Sequence, residues 1–233
     1  MKIDHSTRVV VLTGAGISAE SGIQTFRDSN GLWEQHRIED VATPEAFVRD
    51  PALVWKFYRA RYLQSLQAQP NAGHKALVSL EQNSHLTLVT QNVDGLHKRA
   101  GSKKVFEMHG RLSSCFCTMC QTKFDMQDIQ FEDELPYCRK CEGLIRPDIV
   151  WFGEIPYFLN EIQNVLKKCK LFLIVGTSGT VYPAAGFVMT AKYFGARTVY
   201  VNLDEPGNMS FIDEFHHGKA GDILPDLIKK WTS

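Results

Sequence analysis

Short, nearly continuous apolar runs recur along the chain, and each is bounded by glycine, asparagine or aspartate. Such a run between turn-forming residues is typical of a strand that is buried on both faces, as in a parallel sheet. The pattern predicts strands at residues 8–13, 85–90, 104–108, 170–176 and 197–203.

Helical patterns lie between these runs. A capping residue or a first-turn proline precedes apolar residues of 3.6-residue periodicity at Thr43-Pro44, Asp50-Pro51, Asn71 and Tyr182-Pro183. Strands that alternate with helices predict an α/β fold with a doubly wound, Rossmann-like parallel sheet.

Composition narrows the class of protein. The 233 residues are 44% hydrophobic, which is enough for a sizeable core, and 26 basic residues balance 26 acidic ones. A net charge of zero gives no general attraction to nucleic acid or to anionic membranes. Residues 1–6 lack the apolar core of a signal peptide, and no apolar run is long enough to span a membrane. We therefore expect a cytoplasmic protein with neither a nucleic acid nor a membrane as a partner.

The turn after the first predicted strand resembles a dinucleotide-binding loop. Gly14 and Gly16 permit a tight turn and close approach of the backbone to a pyrophosphate, and Ala19 stands where the common fingerprint has Gly or Ala. Ser18 is predicted to cap the short helix that follows. The alternative is an ordinary turn. Hydride-transferring enzymes place an acid about 20 residues on, at the end of a second strand, but no β-run precedes Glu34.

Polar residues also follow the other predicted strands, at the sheet edge where ligands bind in such folds. Each of these polar residues, when it is considered alone, is also compatible with an ordinary turn at the end of a strand. An imidazole there can serve as a general base, amide and carboxylate oxygens can accept ribose hydroxyls, and small hydroxylated residues can approach a phosphate. The residues concerned are Asn92 and Asp94, His109, the segment 176–179, and Asn202 with Asp204.

The six cysteines include two Cys-x-x-Cys pairs separated by 17 residues, within a polar segment at about 113–142. Paired knuckles at this spacing predict one tetrahedral zinc ion bound by four thiolates. Such a site has no open position for substrate, so the zinc is expected to be structural. The predicted ligands are Cys117, Cys120, Cys138 and Cys141; Cys115 could compete in a rearranged site, but Cys115 and Cys169 are expected to be free thiols.

Taken together, these motifs resemble the sirtuin family. The stretches GAGISAESGI with FRD, TQNVDGLH, MHG, the paired CxxC motifs, RPDIVWFGE, GTSGTVYPAA and VNLD occur in the family's order and cover essentially the whole chain. The resemblance implies an NAD-dependent protein lysine deacylase that acts on acyl-lysine proteins or peptides. In that reaction the acyl oxygen attacks C1′ of the nicotinamide ribose, and an alkylimidate forms. The products are nicotinamide, O-acyl-ADP-ribose and the deacylated protein.

The resemblance also assigns roles at the reacting end of NAD. His109 would take a proton through the ribose hydroxyls, and Asn92 would be the second catalytic residue. Gln91, Asn92 and Asp94 would contact the nicotinamide ribose and carboxamide, with Ile23 beside Asp94. Phe26 would shield the reacting face, and Arg27 and Asp28 would lie on a loop that covers the cofactor. The other predicted NAD contacts are Gly14, Ala15, Gly16, Ser18, Ala19, Glu20, Val93, Gly176, Thr177, Ser178, Asn202, Leu203, Asp204 and Ala220.

Two further groups would contact the substrate. Val150, Phe152, Gly153 and Glu154 would line the channel for an extended peptide, whereas Trp151 is expected to pack in the core. Tyr58 and Arg61, three residues apart on one predicted helix, match the Tyr-x-x-Arg motif of the subgroup that accepts succinyl- and malonyl-lysine. From spacing alone, packing of the Tyr and solvation of the Arg are the stronger interpretation. The resemblance favours the acyl site, and an Arg fork can bind an acyl carboxylate through two hydrogen bonds.

The resemblance implies a single catalytic domain over 1–233, similar to bacterial members and monomeric. Gln24 replaces a frequent proline, and Asp204 is one methylene shorter than the frequent Glu. The alternatives are an NAD-dependent oxidoreductase, another NAD-cleaving transferase such as a mono-ADP-ribosyltransferase, and a zinc-knuckle binding module. The expected nucleotide-binding part covers approximately 1–35, 75–112 and 145–233, with a helical insert at 36–74 and a zinc-binding insert at 113–144.

Overall fold

The computed structural model describes residues 2–24, 32–33, 36–129, 135–177, 184–207 and 209–233. Its strands are β1 (Arg8–Thr13), β2 (Leu32–Trp33), β3 (His36–Arg37), β4 (His85–Thr90), β5 (Val105–Glu107), β6 (Gly110–Cys117), β7 (Lys123–Asp125), β8 (Ile145–Ile149), β9 (Leu171–Val175), β10 (Arg197–Asn202) and β11 (Glu214–His217).

Helices connect these strands. They are α1 (Gly16–Ala19), α2 (Ile38–Val41), α3 (Pro44–Arg49), α4 (Pro51–Gln67), α5 (Ala72–Gln82), α6 (Leu96–Ala100), α7 (Leu159–Leu166), α8 (Ala184–Tyr193) and α9 (Ala220–Thr232). No helix in the described ranges combines the length and apolarity that a membrane span requires.

The main sheet is parallel, with the described strands in the order β11-β10-β9-β1-β4-β5. Alternate residues of β1 enter two separate cores: Val9 and Val11 pack with α5 and α9, whereas Val10 and Leu12 pack with α7 and α8. Burial on both faces explains why the strand reads as an unbroken apolar run. The predicted doubly wound α/β fold is therefore confirmed.

Local signals located most of these elements. The strands predicted at 8–13 and 85–90 have those bounds, and the other three predicted strands are shorter by one or two residues at one or both ends. The side chains of Thr43, Asp50 and Asn71 cap α3, α4 and α5 as predicted. The start signal at Tyr182-Pro183 lies outside the described residues. Strand β11 was missed because its side chains are polar or only partly buried.

A third core lies beside the main sheet, where α2, α3 and α4 pack on the antiparallel sheet β7-β6-β8. Gly110, the first residue of β6, has φ +83°, and a Cβ there would lie 2.0 Å from the carbonyl oxygen of Asp148. Only glycine permits this approach of β6 to β8. The small sheet extends beyond residues 113–144 at both ends, and the domain boundaries remain predictions.

Candidate functional site

The turns that follow β1 and β9 contact each other directly. The Gly14 N–H donates to Val175 O over 3.0 Å, and the Gly16 N–H donates to Gly176 O over 2.8 Å. Gly176 has φ +60°, and a Cβ on it would lie 2.5 Å from the Ile17 nitrogen. Because the two backbones leave no room for side chains, they form a narrow cradle at the carboxyl ends of the central strands. Such a cradle fits a pyrophosphate.

Polar side chains join this cradle to the turn after β4. Asn92 Nδ2 donates to Gly14 O over 2.9 Å and to Ser18 Oγ over 3.1 Å, and the Ser18 hydroxyl donates to Asp94 Oδ2 over 2.7 Å. The prediction that Ser18 caps α1 is wrong, because Ser18 lies inside that helix and its hydroxyl is committed to Asp94. The predicted NAD residues Asn92, Asp94 and Ser18 therefore form one network.

Asp94 is a largely buried acid in this network. Burial raises the pKa of Asp94, whereas hydrogen bonds from the Leu96 N–H and the Ser18 hydroxyl act in the opposite direction. Ile23 is buried with Ala68 and Leu96. Asp94 accepts from the N–H of Leu96, which packs with Ile23, and the nicotinamide contact of Ile23 and Asp94 stays a prediction.

His109 follows β5, and its Nδ1 lies 3.1 Å from Gln91 O. Since a carbonyl oxygen can only accept, Nδ1 carries the proton of the neutral ring and Nε2 has the free lone pair. Burial lowers the pKa of His109, and the hydrogen bond to Gln91 opposes that shift. The ring is therefore neutral near pH 7, with Nε2 able to accept a proton. This is the state that a general base requires.

A cavity of about 200 Å³ lies on the other side of the glycine cradle. Its lining includes the predicted NAD contacts Asn202, Leu203 and Ala220. The prediction missed Val201, Gly218 and Lys219, and the only signal for the last two is that they immediately precede a helix at the ligand-binding edge. The lining residues are Gly16, Ala19, Glu20, Gly176, Val201, Asn202, Leu203, Gly218, Lys219 and Ala220.

The remaining predicted NAD residues do not form a single group. The Thr177 hydroxyl donates to Gln91 Oε1 over 2.7 Å, and the Val93 carbonyl accepts from the Leu112 N–H. Ala15 is the N-cap of α1 and makes no side-chain cap. Asp204 is exposed and does not line the cavity. Phe26, Arg27, Asp28 and Ser178 lie outside the described residues.

The predicted substrate segment begins at the end of β8. The Val150 N–H donates to His109 O over 2.9 Å, so the segment is tied directly to the candidate base. Phe152 is 48% exposed, and Gly153 has φ +91° with open space around it. An added peptide strand needs exposed backbone with which it can pair, and Gly153 provides such backbone near the candidate base.

Glu154 stabilises the turn in this segment. Both of its oxygens accept from Arg146, over 2.7 and 2.9 Å, and Oε2 also accepts from the Trp151 N–H over 2.8 Å. Burial acts to raise the pKa of Glu154, but these hydrogen bonds hold it below its ordinary value. Trp151 is buried as expected, with Arg146 Cζ 3.4 Å from the centroid of its ring.

Tyr58 and Arg61 are both buried on α4, at 0% and 5% exposure. Trp151 Nε1 donates to the Tyr58 hydroxyl over 3.0 Å, which links this pair to the substrate segment. Burial raises the pKa of Tyr58, and the hydrogen bond from Trp151 and the charge of Arg61 oppose that shift. The Arg61 charge also acts to lower the pKa of Asp94. The structure thus places Tyr58 in contact with Trp151, next to the predicted substrate segment.

The four predicted zinc ligands converge. Their Sγ atoms all lie within 4.8 Å of one another, with Cys117 and Cys141 3.4 Å apart and Cys120 and Cys138 3.7 Å apart. Four sulfurs at about 2.3 Å from one ion in a tetrahedron are about 3.8 Å apart, so the cluster fits one zinc ion. Burial raises the pKa of the fifth thiol, Cys115, to about 12, which disfavours the thiolate that a metal needs.

The chain is similar to proteins of one known family. The model of a family described as the Sir2 family matches residues 14–183. An NAD-dependent protein deacylase of Bdellovibrio bacteriovorus is 50% identical over 228 residues, which are 96% of each chain. A Sir2 homolog solved as an NAD complex has a TM-score of 0.89 and 40% identity, over 95% of this chain and 88% of that one. A structure described as "Sir2-p53 peptide-NAD+" has a TM-score of 0.86 and 33% identity, over 95% and 92%.

Replacing one cluster cysteine should remove zinc. We expect Cys141→Ser to reduce the zinc content well below one ion per chain and to lower the unfolding temperature, because a four-thiolate site contributes roughly 10–16 kcal/mol of apparent binding free energy to folding. Metal analysis and thermal denaturation measure the two effects. Cys115→Ser and Cys169→Ser are matched controls and should retain zinc. Loss of zinc from Cys115→Ser, with retention in Cys141→Ser, would contradict the ligand set.

Proposed function

The chain belongs to the Sir2 family, and from this premise we propose that it is an NAD-dependent protein lysine deacylase that transfers the acyl group to ADP-ribose. The observation that carries the proposal is the position of His109. Its ring is held through Nδ1 by the carbonyl of Gln91, one residue before Asn92, and its own carbonyl accepts from Val150 at the start of the predicted peptide segment.

The protein residues would bind and orient both substrates. As co-substrate, NAD would supply the cleavable bond between nicotinamide and ribose and the hydroxyl that accepts the acyl group. Gly14, Gly16 and Gly176 would form the closely packed turns against which the pyrophosphate lies, because a Cβ at any of them would meet atoms of the other turn within 3 Å. Asn202 and Ala220 would contact the adenosine end.

At the reacting end, Asp94 and Ile23 would contact the carboxamide, and Asn92 and Gln91 the ribose. His109 Nε2 would accept the proton that leaves a ribose hydroxyl. Exposed backbone at 152–153 would pair with the substrate peptide, and Glu154 would keep that turn in place through Arg146. Phe26, Arg27 and Ser178 remain predicted NAD contacts from sequence alone.

We further propose that the enzyme accepts succinyl- and malonyl-lysine as well as acetyl-lysine. Tyr58 and Arg61 support this, because a buried guanidinium and phenol on one helix face provide donors for a carboxylate. The absence of net charge supports protein substrates over nucleic acid, and a monomeric, cytoplasmic enzyme stays a prediction from sequence.

The activity is tested with acetylated and succinylated peptides, NAD and mass spectrometry. We expect stoichiometric nicotinamide, O-acyl-ADP-ribose and deacylated peptide, and a loss on the order of 10²-fold or more in His109→Ala, as for removal of a general base. ADP-ribose binding should survive the substitution, since His109 does not line the adenosine cavity. Formation of NADH or of ADP-ribosylated peptide would refute the assignment, and unchanged turnover in His109→Ala would refute the base.

The acidic limb of the pH profile should lie below that of an ordinary histidine. The base works only when neutral, and burial lowers the pKa of His109. Activity should therefore persist as the pH falls through about 6.5 and decline only at lower pH. The measurement is kcat/KM for the peptide against pH, with ADP-ribose affinity over the same range as the control. A midpoint at or above 6.5 would contradict a neutral, buried base.

The acyl pocket is tested by selectivity. Tyr58→Phe with Arg61→Met should reduce succinyl-peptide turnover about 10- to 100-fold more than acetyl-peptide turnover, because only the succinyl group loses charge-assisted hydrogen bonds. Arg59→Met with Tyr62→Phe changes the same residue types on the same helix and serves as the control. General structural damage lowers both activities alike. Equal losses on the two peptides would exclude this carboxylate site.

A further inference from the structure

Two histidines are buried beneath the proposed site, and the function described above uses neither. His74 on α5 and His97 on α6 are 0% and 2% exposed, and their ring centroids are 4.8 Å apart. Among the described residues, neither ring nitrogen of His74 and not Nδ1 of His97 has a hydrogen-bond partner. Only His97 Nε2 makes a hydrogen bond, and that bond leads towards the site.

A short chain of hydrogen bonds runs from His97 to the backbone of Asn92. His97 Nε2 lies 2.8 Å from Thr13 Oγ1, which in turn donates to Thr90 Oγ1 over 2.8 Å. Thr90 Oγ1 also accepts from the Asn92 N–H over 3.1 Å. Thr13 and Thr90 are the last residues of the paired central strands β1 and β4, so this chain lies directly below the ligand-binding edge.

The partners of the ring favour one tautomer of His97. Nδ1 has no hydrogen-bond partner among the described residues, so a proton there would be a buried and unsatisfied N–H donor. A proton on Nε2 is instead donated to Thr13 Oγ1, and the single hydrogen of that hydroxyl is then donated to Thr90. A donor at this position keeps both hydroxyls oriented towards the start of the 91–94 turn.

We propose that His97, as the neutral ring protonated at Nε2, is a positioning residue for Asn92. It acts through Thr13 and Thr90, and the inference rests on the proposed function, in which Asn92 contacts the nicotinamide ribose. Asn92 Nδ2 reaches Gly14 O and Ser18 Oγ only if its backbone is held where Thr90 holds it. Loss of the Nε2 donor would loosen the nicotinamide end of the site and leave the adenosine end unchanged.

His74 provides a matched control. It is the same residue type, is equally buried and packs against His97, but it has no hydrogen bond to the Thr13 and Thr90 chain. His74→Leu and His97→Leu therefore carry a similar packing change, and only the second removes the donor. His97→Gln restores an N–H donor near the position of Nε2.

The experiment compares kcat for NAD-dependent deacylation, ADP-ribose affinity and unfolding temperature in these variants. We expect His97→Leu to lower kcat on the order of tenfold, since an unsatisfied buried hydroxyl chain costs about 1–3 kcal/mol. ADP-ribose affinity should hardly change, His97→Gln should regain most of the rate, and His74→Leu should retain it. Thr13→Val should cause a similar loss, and the double variant with His97→Leu should be no slower than either single variant.

Several results would overturn the proposal. One is a His74→Leu variant as slow as His97→Leu, and another is a His97→Gln variant as slow as His97→Leu. A third is a fully additive double variant. The tautomer is measured independently of activity from the ¹⁵N chemical shifts of the His97 ring, and protonation at Nδ1 alone would refute the assigned donor. A wild-type enzyme without deacylase activity would instead reject the proposed function, whereas an active wild type with an equally active His97→Leu would reject only this inference.

Discussion

The contact between the turns that follow β1 and β9 is the constraint on which the site depends. These strands are neighbours at the centre of a parallel sheet, so their carboxyl ends leave the sheet at the same edge. The bond from Gly16 N–H to Gly176 O brings the two backbones too close for a Cβ on either residue. The two turns can therefore pack together only with glycine at both positions, and this fixes the edge of the sheet at which ligands bind in such folds.

The turn after β4 is attached to both of these turns. The Asn92 side chain donates a hydrogen bond to Gly14 O in the turn after β1. The Gln91 side chain accepts a hydrogen bond from the Thr177 hydroxyl in the turn after β9. The Gln91 carbonyl also faces His109 Nδ1 and so determines which nitrogen of that ring is basic. Three turns that are far apart in sequence thus fix one another, and the candidate base is oriented by the same residues that would hold the ribose.

Sequence patterns predicted those parts of the molecule that local physics determines. Unbroken apolarity located the central strands because both faces are buried, and Asn71 capped α5 as its side chain suggests. Ser18 did not follow the local capping preference, because folding brings Asp94 to it from 76 positions along the chain. Likewise, no local sequence pattern around Lys219 predicts that the start of α9 lines the cavity beside the glycine turns. Contacts between distant turns leave no periodic signal.

The small sheet that carries the cysteine cluster also positions His109 and Val150. Strand β6 begins one residue after His109, strand β8 ends one residue before Val150, and a backbone hydrogen bond joins those two residues. The buried Asp148 on β8 accepts from Ser114, from Lys123 and from the Tyr157 hydroxyl, which ties both strands of the pair to the substrate segment. A closed four-cysteine site does no chemistry of its own. By stabilising β6 against β8, a bound zinc ion would keep the candidate base and the predicted peptide segment at a constant separation.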